Sequence, residues 1–471
     1  MNVSRRLFLT GATGIAAWPW LSLDAGAQLS THPSNEKGLP PVPPDEPVEG
    51  PAFLKCGPMI GHVAHDRAKI WLKTSNECEV LVSVATTSEF QDTKNVAVTP
   101  GKESAFSVTV EFDDLVPAKR YYYQVTLNGV IVTPRPFPSF VTPPAPLTPD
   151  KQRIAFVSCA GYRGYMAAAA WGEMAAQRNF DLVLMLGDNH YANTVETAKQ
   201  RADYTMHRSV AGFRELTAQV PCVGIWDDHD FGPNDSDGTL VGKEKSLATF
   251  KEFWANAAFG EPENPGCYHK FTRGDVDFFM LDVRYHRSPD KAPKEDPAKT
   301  MLGATQLEWL KSSLKASKAK VKFIASGSEL QTAGTLDSWA SYPAERRALL
   351  DYLRDEIGDG VIFLSGDRHF SAGYQVEGRW IELSSGPLGS GNAQAKPNDE
   401  TWLHCSIGKM WSIFEVDTTG ETPKVTYELW LAGAGLAERR ELTWDEVNGR
   451  AKIAPSPALP RGVERTIPQP K

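Results

Sequence analysis

Five short apolar segments of the chain each end in a residue that can bind a metal ion or take part in phosphate chemistry. Their ends are, in chain order, Cys159, Asp188, His229, Ser328 and His369. A short apolar segment bounded by such residues is typical of a buried strand, and ligands in open α/β folds collect at the carboxyl edge of the sheet. Because five such endings recur within one stretch of chain, we predict that they meet at one site.

Two of these endings contain a Gly-Asp pair. In GDNHY, Asp188 follows the apolar segment and Tyr191 lies three residues later; in GDRH, one residue separates Asp367 from His369. If the chain stays extended, residues at i and i+2 point to the same side, so this carboxylate and imidazole would face one ion. A Gly-Asp pair alone is a weak signal, because Asp commonly opens a turn after a strand.

The segment WDDHD, from Trp226 to Asp230, concentrates three carboxylates around the imidazole of His229. Neighbouring carboxylates in a partly dry site raise one another's pKa values, and a bound cation would relieve that repulsion. A solvated acidic turn is the alternative, but the apolar residues before the motif argue against full solvation. Cys159 could add a thiolate ligand, although a cysteine with apolar neighbours is more often inert core.

These residue types together indicate hydrolysis of a phosphate ester. Two cations bridged by one carboxylate would lie roughly 3.5 to 4 Å apart and lower the pKa of a water from about 15.7 toward about 7, giving a metal-activated hydroxide. His229 would donate a proton to a phosphate oxygen or leaving group, and Arg284 would contact the phosphate bidentately. A surface salt bridge is an equally good interpretation of Arg284. Arg287, Arg368 and Asn234 are weaker candidates for the same contact.

Length, charge and cysteine spacing limit the class of protein. A chain of 471 residues is expected to form two domains plus appendages. Its net charge of -8 argues against a nucleic-acid groove, although bound cations would still let an acidic enzyme take anionic substrates. No long apolar segment follows the first 30 residues, so we predict no transmembrane span in the mature chain. The six cysteines lack CxxC spacing, which argues against a structural zinc site.

The amino terminus has the features of a twin-arginine export signal. The paired Arg5 and Arg6 precede an apolar stretch, and an A-x-A cleavage motif ends at Ala27. We predict that residues 1–27 are a signal peptide read by the twin-arginine export machinery and that the mature protein is periplasmic or secreted. An ordinary secretory signal or a retained anchor is the alternative.

The rest of the chain divides by pattern. A Pro-rich linker is expected at 28–50, a β-sandwich of alternating strands at 51–141, and a second linker at 142–150. Strands alternate with helices over 151–435, which predicts an α/β domain. The pattern fades after Gly435, so 436–471 is interpreted as a C-terminal extension.

Within the α/β segment the pattern predicts several particular elements. The segment FFMLDVRYHR, which ends at Arg287, has the spacing of one strand. Helices are expected at Ala167–Arg178, Glu244–Ala258, Ala304–Leu314 and Ala344–Ile357.

The ordered motifs resemble those of the alkaline phosphatase D (PhoD-like) metallophosphatases. They read SC, GDxxY, WDDHD, LDxRxxR, LGxxQxxWL (Leu302 to Leu310) and SGDxHxS (Ser365 to Ser371). The likeness covers nearly the whole mature chain, because that family also has an amino-terminal β-sandwich and a twin-arginine signal. It implies a four-layer α/β/β/α metallophosphoesterase core after a small fibronectin-III-like β-sandwich. It also implies hydrolysis of phosphate mono- and diesters with iron and calcium.

The resemblance also assigns ligands. It implies Fe(III) on Cys159, Asp188, Tyr191 and His369, where GDxxY is similar to the purple acid phosphatases, whose matching tyrosine binds Fe(III). Asp188 would bridge to calcium or another divalent metal, which Asp228 and Asp367 complete. The chain departs from the family in FIASGSEL, where relatives usually carry Asn or Gln. A ligand in that segment is therefore left open among Ser326, Ser328 and Glu329.

Two other functions remain open. The first is a relative with a narrow substrate, such as a nucleotidase or a phospholipase D-type esterase. The second is a non-catalytic surface protein that binds polymers through its β-sandwich and keeps a decayed site. The presence of every metal-binding residue type named above argues against decay.

Overall fold

The computed structural model describes residue 39 and residues 42–331, 337–394 and 397–457. The expected signal peptide, most of the expected linker at 28–50 and the end of the expected C-terminal extension lie outside the described residues. Among the residues that are described, no helix is both long and apolar enough to cross a membrane.

As far as residue 141 the regular elements of the described chain are strands and one short 3-10 helix (Lys102–Ser104), and strands alternate with helices after it. The strands are β1 (Leu54–Val63), β2 (Ala68–Thr74), β3 (Val80–Ala85), β4 (Lys94–Val98), β5 (Ser107–Phe112), β6 (Arg120–Leu127), β7 (Val130–Ile131), β8 (Ser139–Val141), β9 (Lys151–Val157), β10 (Leu182–Leu186), β11 (Cys222–Ile225), β12 (His269–Arg273), β13 (Val276–Met280), β14 (Val321–Ala325), β15 (Val361–Ser365), β16 (Ser371–Val376), β17 (Trp380–Ser384), β18 (Thr401–Cys405), β19 (Met410–Asp417), β20 (Lys424–Leu431) and β21 (Gly435–Leu442). The α-helices are α1 (Ala168–Gln177), α2 (Thr197–Arg208), α3 (Ala211–Thr217), α4 (Asp228–Phe231), α5 (Lys243–Phe253), α6 (Ala304–Ala316), α7 (Pro343–Tyr352) and α8 (Trp444–Val447).

The first eight strands form a β-sandwich. One antiparallel sheet has the order β1-β2-β5, and the other has the order β4-β3-β6-β7 with β8 paired to β6. Alternate side chains of the two sheets, such as Ile70 and Val82, share one core. Tyr121 Oη accepts a hydrogen bond from the backbone N–H of Val116 at 2.9 Å, which fixes the corner before β6. The specific likeness to fibronectin type III modules stays a prediction.

The remaining strands form two mixed sheets that face each other. The first has the order β11-β10-β9-β19-β20-β21, and the second has the order β12-β13-β14-β15-β17-β16-β18. Between them, the rings of Phe323 and Phe414 pack with centroids 5.2 Å apart. Helices α1 and α3 pack on the first sheet and α6 and α7 on the second. Since the inner faces cover each other, the helices form outer layers, as the α/β/β/α expectation requires.

Three of the four expected helices are confirmed, and the fourth was predicted to extend beyond the end of the observed helix. Helices α1 and α6 lie where the apolar spacing predicts them, and α7 continues as a π-helix (Leu353–Ile357) to the predicted end at Ile357. Helix α5 ends at Phe253 rather than at the predicted Ala258. Trp254 leaves the helix with an extended backbone, and the side chain of Asn256 then bonds the backbone N–H and C=O of Gly224 at 3.1 and 2.7 Å. This tertiary contact, which the apolar spacing does not contain, ends the helix.

The strand predicted over FFMLDVRYHR is wrong beyond Met280, where β13 ends. The carboxylate of Asp282 accepts hydrogen bonds from the backbone N–H groups of Arg284 and Tyr285, each at 2.9 Å. Gln306 holds the same turn, because its amide accepts from and donates to the backbone of Asp282 at 2.8 and 2.7 Å. The backbone therefore turns after Met280, although the period-two apolar spacing of the sequence continues beyond that residue.

The pattern predicts no regular structure after Gly435, but β21 begins there and pairs with β20 as an edge of the first sheet. Half of its residues are charged, and most are at least partly exposed. Charged residues are common on edge strands, where they prevent pairing with other chains, and they remove the apolar alternation that would reveal a strand.

The β-sandwich touches the α/β domain closely at Gly61 in β1. A Cβ at this position would overlap with both the Cβ and the carbonyl oxygen of Ala255. The backbone N–H of the next residue, His62, donates to that carbonyl at 2.7 Å. Glycine at position 61 therefore permits the contact between the two parts of the chain.

We expect Gly61→Ala to lower the free energy of unfolding by about 1 to 3 kcal/mol, because it overpacks this junction. Thermal denaturation would measure the change. Gly172→Ala is the matched control, since a Cβ there meets nothing within 4 Å. It should leave stability unchanged or raise it by up to about 1 kcal/mol. Equal thermal midpoints for Gly61→Ala and wild type would contradict the close contact.

Candidate metal centre

The site lies where the carboxyl ends of strands from both sheets meet. In the first sheet, the parallel strands β9, β10 and β11 lead to Cys159, Asp188 and Asp228. In the second sheet, β15 leads to Asp367 and His369. Four of the five apolar segments therefore end at one site, and the fifth, which ends at Ser328, contributes no residue to the metal-binding clusters of the described chain.

Two glycines allow these strand ends to approach one another. Gly187 has φ +102°, and a Cβ there would meet the backbone nitrogen of Asp227 at 2.8 Å. A Cβ on Gly366 would meet the carbonyl oxygen of Leu186 and the Cβ of Ser158, both at 2.8 Å. A larger residue at 187 would collide with the segment after the neighbouring strand β11, and one at 366 would push the two sheets apart, so the Gly-Asp pairs serve packing as well as turning.

Four of the predicted ligand residues have left-handed backbone conformations. Their φ values are 58° for Cys159, 53° for Asp188, 67° for Asp367 and 54° for His369. Such conformations are uncommon for residues with a Cβ and cost free energy that the surrounding structure must supply. Strained backbone of this kind concentrates at functional sites, and here it aims the ligand side chains.

The first cluster contains the four residues predicted to bind iron. Ligand atoms of Cys159, Asp188 and His369 all lie within 4.8 Å of one another. Tyr191 Oη lies 3.0 Å from Asp188 Oδ2 and 3.1 Å from His369 Nε2. Thiol, carboxyl, phenol and imidazole groups therefore converge, a mixed donor set that suits a transition metal better than calcium.

The second cluster consists of carboxylates. Oxygens of Asp227, Asp228 and Asp367 lie within 4.8 Å of one another, as do ligand atoms of Asp188, Asp228 and His229. Carboxylate oxygens are the ligands that hard divalent cations prefer. Asp188 belongs to both clusters and is the one predicted ligand within reach of each.

The electrostatics of these groups fit bound cations. Burial raises the pKa of Asp188 well above its usual range, and the charges of Asp228 and Asp227 raise it further. Burial and neighbouring carboxylates also raise the pKa of Asp367. The buried Oδ1 of Asp188 and Oδ2 of Asp227 accept no hydrogen bond from the described residues. A cation would satisfy these oxygens and remove the repulsion.

The thiol and phenol respond to burial in the same way. Burial, followed by the charge of Asp188, raises the pKa of both Cys159 and Tyr191. For Tyr191, a hydrogen bond from Ser390 opposes this effect. A positive ion is therefore required for these two groups to ionise and act as ligands near neutral pH.

His229 belongs to the second cluster and packs against Tyr191 of the first. Its Nδ1 forms a hydrogen bond with Asn193 Oδ1, and its ring packs on Tyr191 with centroids 4.0 Å apart. Because the Asn oxygen can only accept, Nδ1 carries a proton and Nε2 is the nitrogen left for proton transfer.

The guanidinium of Arg284 is fully buried in ion pairs. Its Nε donates to Asp227 at 2.5 Å, and its two terminal nitrogens donate to the carboxylate of Asp337 at 3.0 and 2.7 Å. Arg287 also pairs with Asp337. Burial tends to raise the pKa of Asp228, but electrostatic interactions with His229 and Arg284 outweigh it and lower that pKa overall.

The other predicted residues lie in different surroundings. Asn234 is exposed in the loop after α4. Arg368 pairs with the buried Glu329 at 3.4 Å, and Ser326 donates to the carbonyl of Ser328 at 2.7 Å. Glu329 is in none of the metal-binding clusters of the described residues, so the FIASGSEL segment contributes no acidic ligand there.

Four residues of the site were not predicted as functional, and one of them is Asn193, which bonds His229. Asp227 lies in WDDHD, and the motif itself could have indicated it, but nothing in the sequence separates it from Asp228. Asp337 and Ser390 belong to no recognisable motif. They reach the site through contacts with Arg284 and Tyr191 that only the folded chain provides.

Two family models match this chain. A family model described as PhoD-like phosphatase matches residues 154–428, and one described as a domain of unknown function matches residues 51–145. Alkaline phosphatase D of Bacillus subtilis (strain 168) is 29% identical over 320 residues. That alignment covers 57% of this chain and 54% of the relative, so the chain spans about half of the relative's length.

Two solved structures have a similar fold. A structure of PhoD superposes with a TM-score of 0.67 at 21% identity, covering 84% of this chain and 93% of that chain. Purple acid phosphatase PPD1 from yellow lupin (Lupinus luteus) seeds superposes with a TM-score of 0.61 at 14% identity, covering 87% and 77%. The mixed α/β fold is therefore similar to both. Because the phosphatase model matches more than half of the sequence, the chain belongs to the PhoD-like phosphatase family.

Proposed function

We propose that this protein is an exported, metal-dependent phosphatase or phosphodiesterase that hydrolyses phosphate esters at a binuclear centre. The observation that carries the proposal is the position of Asp188, whose carboxylate lies within 4.8 Å of ligand atoms in both clusters. One carboxylate between two groups of ligands is the arrangement that binuclear hydrolases use to hold two cations. Family membership supports phosphate esters as the substrate class.

The proposal assigns one cation to each cluster. Fe(III) would bind Cys159, Asp188, Tyr191 and His369, and calcium or another divalent metal would bind Asp188, Asp228 and Asp367. The donor types support this division, since phenol and thiol groups lie on one side and carboxylates on the other. The ions would supply a hydroxide near neutral pH and neutralise the charge on the phosphate.

His229 would supply the proton for the leaving group. Its hydrogen bond to Asn193 fixes the ring and commits Nδ1, so that Nε2 is directed to proton transfer. The ring of Tyr191 packs against it and restricts its rotation. Orientation by two neighbours is what a general acid needs to act on one particular oxygen.

Arg284 and Asn234 are proposed to bind the phosphate. Arg284 Nη2 lies 3.9 Å from Asp228 Oδ1, beside the proposed second cation. Asn234 precedes Asp235, whose backbone N–H donates to Asp228 Oδ2 at 2.7 Å. Both residues therefore border the carboxylate cluster.

Export by the twin-arginine route remains part of the proposal. Its support is the Arg5-Arg6 pair and the A-x-A motif ending at Ala27. A protein that leaves the cytoplasm after folding would carry metal ions that it acquired there.

Asp188→Asn should lower kcat/KM for chromogenic phosphate mono- and diesters by about 100- to 1,000-fold or more, because the bridging charge is lost. Bound metal, measured by elemental analysis, should fall with it. In wild type, a chelator should abolish turnover, and added iron and calcium should restore it.

The matched control is Asp417→Asn, which changes a carboxylate at the far end of β19 that bonds Thr419. We expect it to keep wild-type turnover and metal content. If Asp188→Asn retained both, or if wild type supplied with iron and calcium were as inactive as Asp188→Asn, the proposal would fail.

Iron-loaded wild type should show a visible tyrosinate-to-iron charge-transfer band, and Tyr191→Phe should lose it while staying folded. Absorption spectroscopy and circular dichroism would measure the two properties. A colourless, fully active wild-type preparation that contains zinc would rule out the Tyr191–iron assignment.

Arg284→Ala should destabilise the protein by about 3 to 5 kcal/mol, because Asp227 and Asp337 would be left buried without their partner. Thermal denaturation would measure this loss, and kcat and KM would be determined below the transition. The control Arg354→Ala removes an exposed ion pair with Asp355 and should leave the thermal midpoint unchanged. Wild-type kcat and KM in folded Arg284→Ala would remove Arg284 from phosphate binding.

A further inference from the structure

The loop of residues 386–394, which joins β17 to the segment before β18, lies against the predicted iron ligands. The backbone N–H groups of Gly389 and Ser390 donate to the carbonyl oxygen of Cys159 at 3.0 and 3.1 Å. The N–H of Ala393 donates to the carbonyl of His369 at 3.0 Å. The 386–394 loop therefore fixes the backbone of two ligand residues that have strained conformations.

Ser390 adds a side-chain contact to a third ligand. Its Oγ donates a hydrogen bond to Tyr191 Oη at 2.8 Å, and the residue is only 1% exposed. The carbonyl oxygen of Ser390 accepts a hydrogen bond from Lys409 Nζ. Since its N–H and C=O groups are both bonded, the hydroxyl of Ser390 is held on the phenol oxygen.

The direction of hydrogen-bond donation at Tyr191 Oη distinguishes Ser390 from the other neighbours of this oxygen. The phenol donates its own proton to Asp188 Oδ2 and shares a hydrogen bond with His369 Nε2. A phenolate that binds an ion has no proton to donate. Asp188 Oδ2 and His369 Nε2, which bond the phenol here, would then bind that ion as well. Among these three neighbours, Ser390 is the one whose hydroxyl can still donate to the phenolate.

We propose that Ser390 is a positioning residue that donates a hydrogen bond to the phenolate oxygen of Tyr191 and so weakens its electron donation to the iron. The inference rests on the proposed function, because it requires Tyr191 to bind Fe(III). Hydrogen bonds to the ligand atoms of a metal tune both its electronic properties and its reduction potential. A donor lowers the energy of the phenolate electrons, so more energy is needed to transfer one to iron.

The test is the absorption spectrum and reduction potential of iron-loaded Ser390→Ala. Removing the donor should move the tyrosinate-to-iron band to longer wavelength and make the reduction potential more negative. Ser390→Thr, which keeps a hydroxyl, should restore both values toward wild type. Ser385→Ala is the matched control, since Ser385 is buried just before the same loop but donates to the carbonyl of Phe156 at 3.0 Å.

Each outcome has a separate meaning. A shifted band in Ser390→Ala, with wild-type bands in Ser385→Ala and Ser390→Thr, would support the proposal. An unshifted band in Ser390→Ala, or an equal shift in Ser385→Ala, would overturn it and leave the Tyr191–iron bond intact. If iron-loaded wild type had no band at all, the iron assignment itself would fail.

Discussion

The concentration of buried carboxylates around Asp188 is the constraint on which the rest of the structure depends. Burial is the main cause that raises the pKa of Asp227 and of Asp230 to about 7 each, and it also raises the pKa of Asp188 well above its usual range. Protein groups compensate only part of this charge: Arg284 neutralises Asp227, and backbone N–H groups of Asp227 and Asn189 bond Asp230. Uncompensated buried charge destabilises the folded state, so this group of carboxylates is suited to binding cations.

The two sides of the centre are held by different kinds of interaction. On the carboxylate side, Asp227 and Asp337 share Arg284 in ion pairs that are almost completely buried. On the side of Cys159 and Tyr191, the neighbours are backbone N–H groups and the neutral hydroxyl of Ser390. A full positive charge such as that of Arg284 competes with a hard cation for carboxylate ligands. It lies on the side of the centre where carboxylates are most numerous. Neutral donors can support a thiolate or phenolate without removing it from the metal.

Parts of the molecule far from the candidate metal centre also serve this arrangement. Gln306, in the LGxxQxxWL motif on α6, touches no predicted ligand, but it holds the backbone of Asp282. That turn delivers Arg284 to Asp227 and Asp337. The LGxxQxxWL motif thus acts on the site indirectly, because it shapes the loop after β13. This explains why a helix motif accompanies the metal-binding motifs.

The sequence by itself determined the strands that lead to the site, where those strands end and which chemistry they present, although it misplaced the end of β13 and missed β21. This information is local: apolar runs of strand length, a glycine where no Cβ fits, and Asp or His directly afterwards, as at Gly187-Asp188 and Gly366-Asp367. Only the tertiary structure decided the partners of these groups. The burial of Arg284 between Asp227 and Asp337, the early end of α5 at Trp254, and the contact of Ser390 with Tyr191 each join residues far apart in the chain. Such contacts depend on which side chains meet when two sheets pack, and spacing along the chain does not encode that.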